Sequence, residues 1–137
     1  MQVIKSHKTV FFDIDETLVL FDWEGTDKYI GGEVLVSITD PATNVSVLAL
    51  PHKRHIDLMR QFKARGHTVI VWSAGGYDWA HRAVVALGIE SMVDVVMSKP
   101  DWYVDDKPAC AYMKTPIYLH PINPLKDERA QGADYEE

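Results

Sequence analysis

The sequence predicts an α/β fold, a single domain built on a mostly parallel central sheet with a β-hairpin inserted as a flap. Two observations carry this. Short β-branched or aromatic runs alternate with stretches of helical periodicity, and several of those runs end in a polar residue: Val10–Phe12 in Asp13, Val69–Trp72 in Ser73, Tyr103–Val104 in Asp105–Asp106. Strands that alternate with helices form parallel sheets covered on both faces, and ligand sites in such sheets lie beyond the carboxyl ends of the strands. The polar strand ends are therefore the first places to look for chemistry.

Each element has its own local signal. Val10-Phe11-Phe12 reads as a fully buried central strand. Residues 22–32 carry three glycines and mixed charge, which is loop composition. Glu33–Thr39 and Asn44–Leu50 are β-rich and flank Asp40-Pro41-Ala42-Thr43, a hairpin signal. Ile56, Met59 and Phe62 sit at helical spacing within His55–Lys63, and Gly66 suits the stop. His67–Ser73 is a second buried strand. In Tyr77–Leu87 the residues Ala80, Ala83, Val84 and Leu87 make one apolar stripe, closed by Gly88. Val93–Met97, Trp102–Val104 and Ile117–Leu119 are further candidate strands. The domain is placed at 1–125, with the flap at about 33–50 and a charged, apolar-poor tail at 126–137.

The bulk composition narrows the functional classes. A chain of 137 residues, 47% apolar and 25% charged, suits one globular domain with a real core. No apolar run approaches the length of a membrane span, and the first residues lack a secretion-signal core, so no membrane partner and a cytoplasmic location are expected. The lone Cys110 fits a reducing compartment and is expected to be buried and inert. A net charge of −6 gives no global attraction to nucleic acid.

Asp13-Ile14-Asp15-Glu16-Thr17-Leu18 places two carboxylates where a strand ends. If the chain stays extended there, Asp13 and Asp15 share one face. Such a pair can bind a hard cation, supply a nucleophile or divide acid and base roles; it can equally be a polar turn. Asp13-x-Asp15-x-Thr17, Ser73 after Val69–Trp72, Lys99, and Asp105–Asp106, in that order, resemble the four motifs of the haloacid dehalogenase-like phosphohydrolase superfamily. The resemblance covers about residues 9 to 107.

That resemblance implies a Rossmann-like three-layer domain and Mg²⁺-dependent phosphoryl transfer through an aspartyl-phosphate. Asp13 becomes the nucleophile and Asp15 the general acid/base. Thr17, Ser73, Ala74, Gly75 and Lys99 become the phosphate-binding group, with Lys99 also neutralising charge on the nucleophile. The metal set is Asp13, the main-chain carbonyl of Asp15, and Asp106, with Asp105 supporting through water. Asp15 argues against dehalogenation, because dehalogenases of the superfamily lack an acid there. The chain resembles compact, capless or minimally capped members, whose open sites serve large substrates or are closed by a neighbouring subunit, which makes a homo-oligomer an expectation to test. The expected substrate is a phosphorylated small molecule: a nucleotide, a sugar phosphate or another phosphomonoester. A phosphoserine protein is the alternative, because the first motif, the hairpin and Leu50-Pro51-His52 resemble phosphatases acting on polymerase tails.

Several residues stay open between function and packing. Lys99 lies six residues before Asp105, closer than in many members of the superfamily, and Lys107 is a rival cation that otherwise reads as a solvated side chain. His52-Lys53-Arg54-His55 reads as a solvated helix start or as the mouth for an anion. Tyr77 and Trp79 read as packing or as a platform for a ring. Asp22 and Asp78 read as turn or capping acids. From other classes, a phospho-acceptor module would need an acid at the end of the third strand, where Val93–Met97 has none, and a metal nuclease sits poorly with the acidic balance.

Overall fold

The computed structural model describes residues 7–21 and 34–113. The loop at 22–32, the candidate strand Ile117–Leu119 and the tail lie outside the described residues, as does Asp22.

Three strands run parallel in the order β1 (Thr9–Asp13), β5 (Thr68–Ser73), β6 (Val95–Ser98). Three more, β2 (Val19–Leu20), β3 (Val36–Thr39) and β4 (Ser46–Pro51), form an antiparallel sheet in the order β2-β4-β3. Two helices, α1 (Lys53–Ala64) and α2 (Tyr77–Leu87), make the crossovers into β5 and β6. This is an α/β fold with a three-stranded parallel sheet, and among the described residues β5 rather than β1 is its central strand.

Alternation along the strands explains the layering. Val10, Phe12, Val69 and Val71 share one face, because the register pairs Val10 with Val69 and Phe12 with Val71. That face joins Ile56, Met59 and Phe62 of α1 and Ala80, Ala83 and Val84 of α2 in a single core. Both described helices therefore pack on one face of the sheet. Right-handed crossovers dictate this when the strand order advances in one direction, as β1-β5-β6 does. The opposite face carries Phe11, Ile70 and Trp72, half-buried, with Phe11 and Trp72 stacked at 4.1 Å. Covering of both faces is thus not seen among the described residues. Burying each large core side chain contributes about 1.5–3 kcal/mol, and Ile14, Leu18, Val69 and Val71 are all fully enclosed.

The hairpin forms as its composition indicates. β3 and β4 pair antiparallel from Val36–Ala49 to Thr39–Ser46, and β4 also pairs with β2. The turn uses Asp40, whose Oδ1 accepts the Ala42 amide at 2.9 Å, and Asn44 at φ 58° supplies the left-handed residue without a glycine.

Two expectations fail downstream of β6. Trp102–Val104 is not a strand; Trp102 and Val104 are 89% and 101% exposed. Only Lys99, Pro100 and Asp101 separate Ser98 from Trp102, and a parallel neighbour needs a crossover of a dozen or so residues. Cys110 lies exposed in a short 3-10 turn, Ala109–Ala111, outside the packed layers, rather than buried.

Candidate functional site

Because β1, β5 and β6 run the same way, their carboxyl ends share one edge. The register sets Asp13 beside Trp72 and Ser73 beside Ser98, so Asp13, Ser73 and Lys99 arrive together. Lys99 Nζ lies 3.3 Å from Asp13 Oδ1, and each side chain is about a third exposed, at 38% and 32%. The ammonium also sits 5.9 Å from the centre of the Trp72 ring, which gives it a cation–π contact on the other side. Its main-chain amide donates to the Ser73 carbonyl at 2.9 Å, which ties the lysine to the end of β5. Lys107 makes no ion pair with Asp13 or Asp15; its amide donates to Asp105.

Beyond Asp13 the chain leaves the strand and folds into a tight turn. The Ile14 carbonyl accepts the amides of Thr17, Leu18 and Val19, while Glu16 takes φ 59°. Ile14 bends the chain between the two acids, and Asp15 bridges to Val19 at the mouth of the turn, so the pair does not continue β1. Its Oδ1 accepts the indole Nε1–H of Trp79 at 2.9 Å. Partial burial raises the Asp15 carboxyl above its ordinary value; the Trp79 hydrogen bond lowers it, the Asp13 charge raises it and Lys99 lowers it. The net direction is upward, towards a carboxyl that holds its proton longer.

The turn is anchored from α1. His52, the residue capping that helix, donates its amide to the Leu18 carbonyl at 2.8 Å, and its Nδ1 accepts the His55 amide at 3.3 Å. His55 Nδ1 donates to the Thr17 carbonyl at 2.7 Å, which leaves Nε2 as the acceptor for Arg54 at 3.1 Å, since a guanidinium can only donate. The two imidazoles stack at 3.4 Å and both are fully buried. The solvated helix start expected for this stretch is thus corrected: its histidines are inside, bracing the acidic turn. Thr17 is placed there by its carbonyl.

Ser73 is buried, and its Oγ accepts the Gly75 amide at 3.0 Å while its carbonyl accepts the Gly76 amide at 3.1 Å. Ala74 and Gly75 form the turn between β5 and α2. A Cβ on Gly75 would meet Trp79 Cδ1 at 3.1 Å and Ser73 Oγ at 3.3 Å, so its missing side chain makes room for the indole. Gly76 begins α2 at φ 99°, and the hydroxyl of Ser98 accepts the Tyr77 amide at 2.8 Å where the helix has no side-chain cap of its own. Asp78 occupies the first turn of α2 without capping it.

Asp105 and Asp106 do not join this edge. They are exposed, and Asp105 is held below the usual carboxylate range by its hydrogen bond with Asp106 and then by the Lys107 amide. Among the described residues no three His, Cys, Asp or Glu side chains are grouped to hold a metal. Among the described residues, Asp13 and Asp15 bring their carboxylates to the strand edge. Two carboxylates could ligate a hard cation only with waters and other oxygens completing its coordination shell.

Sequence reasoning did not single out Ser98, although it ends a strand as Ser73 does and the same strand-end argument applies to it. From sequence Trp79 reads only as packing or as a stacking platform. Its bond to an acid 64 residues away leaves no trace in local pattern. Comparison of the chain with protein-family models, with curated proteins and with solved structures finds no match.

Proposed function

We propose that this chain is a phosphomonoester hydrolase that works through an aspartyl-phosphate at Asp13, as its motif order's resemblance to the haloacid dehalogenase-like superfamily implies. The observation that carries the reading is the meeting of Asp13, Ser73 and Lys99 at one edge of three parallel strands, with the ammonium 3.3 Å from the carboxylate. The parallel sheet and its helices are compatible with the Rossmann-like core of that superfamily.

A carboxylate oxygen of Asp13 attacks phosphorus, the P–O bond to the leaving group breaks, and the leaving oxygen takes its proton from Asp15. Water then attacks the acyl phosphate and gives a proton to Asp15, which releases inorganic phosphate and restores both carboxyls. The raised Asp15 carboxyl suits a group that starts the cycle protonated. Lys99 offsets the charge that accumulates between Asp13 and the phosphoryl oxygens. Ser73 and its turn give the phosphoryl group a fixed edge to lie against. Mg²⁺ would be held by the Asp13 carboxylate and the Asp15 carbonyl, and when bound it supplies charge neutralisation for two anions that must approach each other. The exposed Asp105–Asp106 pair has no assigned part in this arrangement.

Asp13→Asn tests the reading. It keeps the side-chain shape and removes the nucleophile, so hydrolysis of p-nitrophenyl phosphate should vanish while the circular dichroism spectrum stays that of the parent. Undiminished hydrolysis would falsify the assignment. A panel of nucleotides, sugar phosphates and phosphoserine peptides then sorts the substrate class.

A further inference from the structure

Trp79 is 9% exposed, so its ring has no free face to offer a ligand. Its indole nitrogen can only donate, and a buried indole N–H needs an acceptor. It finds one in Asp15 Oδ1 at 2.9 Å. The ring is confined on its other sides: Gly75 lies under Cδ1 so closely that a Cβ there would be 3.1 Å away, and the Phe21 ring stands 6.2 Å off at a 33° tilt. The helix that carries Trp79 is itself pinned by the Ser98 hydroxyl on the Tyr77 amide.

We infer that Trp79 is a positioning residue: it holds one oxygen of Asp15 in a fixed place so that the other faces the leaving group. The inference rests on the hydrolase reading above and deepens it. A carboxylate in a solvent-accessible turn with no such partner samples several orientations, and water can satisfy it in all of them. Tying Oδ1 to a rigid ring removes that freedom before the substrate arrives. The same ring rests on Gly75, so the acid and the turn beside the phosphoryl position are referenced to one rigid body.

Its consequence depends on the leaving group. p-Nitrophenolate departs without a proton, whereas an alkoxide does not. Trp79→Phe keeps the aromatic packing and removes only the donor. In the intact chain it should lower kcat/KM, which reports the first phosphoryl transfer and not the later attack of water, for an alkyl phosphate such as glycerol 2-phosphate by about 10- to 100-fold, and change kcat/KM for p-nitrophenyl phosphate less than about threefold. Equal losses of kcat/KM on the two substrates, or no loss on either, overturn the positioning role.

A second measurement needs no turnover. With ¹⁵N-labelled tryptophan assigned through its backbone, the Trp79 indole proton should move upfield and exchange faster with water in Asp15→Ala; an unmoved resonance overturns the contact itself. A parent protein inert towards both phosphates overturns the hydrolase reading and the acid-positioning role with it, whereas a hydrolase whose Trp79→Phe variant treats both substrates alike overturns the positioning role only.

Discussion

Replacing Gly76 with alanine isolates a backbone contribution at the head of α2. Gly76 adopts φ 99° and ψ 169°, a region populated almost only by glycine, where a residue with a Cβ costs about 1–3 kcal/mol. Crowding adds nothing, because the nearest atom to a Cβ built there is Ser98 Oγ at 3.9 Å. The penalty is therefore torsional. Alanine also orders the unfolded chain, which returns about 0.4–1 kcal/mol. The net loss is then centred on about 1.3 kcal/mol, which at a urea dependence of about 2 kcal/mol per molar lowers the midpoint by roughly 0.6 M. Gly75→Ala reads a different cost, since Gly75 has no left-handed φ and a Cβ there crowds the Trp79 ring instead. Urea unfolding followed by far-ultraviolet circular dichroism measures both. A parent-like midpoint for Gly76→Ala would refute the torsional argument.

Two further outcomes follow from charges. Lys99 and Asp13 are each about a third exposed, so their ion pair contributes well under about 1 kcal/mol to the fold; Lys99→Met should leave the urea midpoint nearly unchanged yet cut turnover of p-nitrophenyl phosphate about 10²- to 10³-fold, and a variant with parent turnover removes Lys99 from the mechanism. Asp94 is held below its ordinary 3.8, first by Lys63 at 2.6 Å and then by the Val69 amide at 2.8 Å. Its stabilising contribution is full above that ordinary value and fades as pH falls through the lowered one. Asp94→Asn should unfold at lower urea than the parent at neutral pH, with the gap closing in strong acid; a gap constant across pH would show that charge is not its origin.

The elements that depend on short-range pattern were legible in the residues. Ile56, Met59 and Phe62 mark the buried side of α1 because residues three or four apart share a helix face, and all three are buried in the core. The α2 boundaries coincide with Tyr77–Leu87, where Gly88 at φ 67° closes the helix. Asp13 and Ser73 could be grouped in advance because parallel strands deliver their carboxyl ends to one edge, whereas Lys99 joined them only through the motif resemblance. Trp102–Val104 misled the reading because an apolar triplet looks the same whether or not the chain has the length to reach a sheet. Composition alone decides only that such a stretch could be a strand.

Other features exist only in three dimensions. His52 and His55 look like solvated charge in sequence, yet they are buried because the turn above α1 has carbonyls to satisfy. Gly75 reads as an opening for a phosphate, while its lack of a Cβ serves the Trp79 ring. Local sequence determined the α/β class, the hairpin, both described helices and the placing of an acidic pair at the end of a strand, since propensity and periodicity act over a few residues. Tertiary structure alone decided which acids assemble: it joined Asp15 to Trp79 and left Asp105–Asp106 apart, because hydrogen bonds and ion pairs form by distance in space, and distance along the chain does not set it.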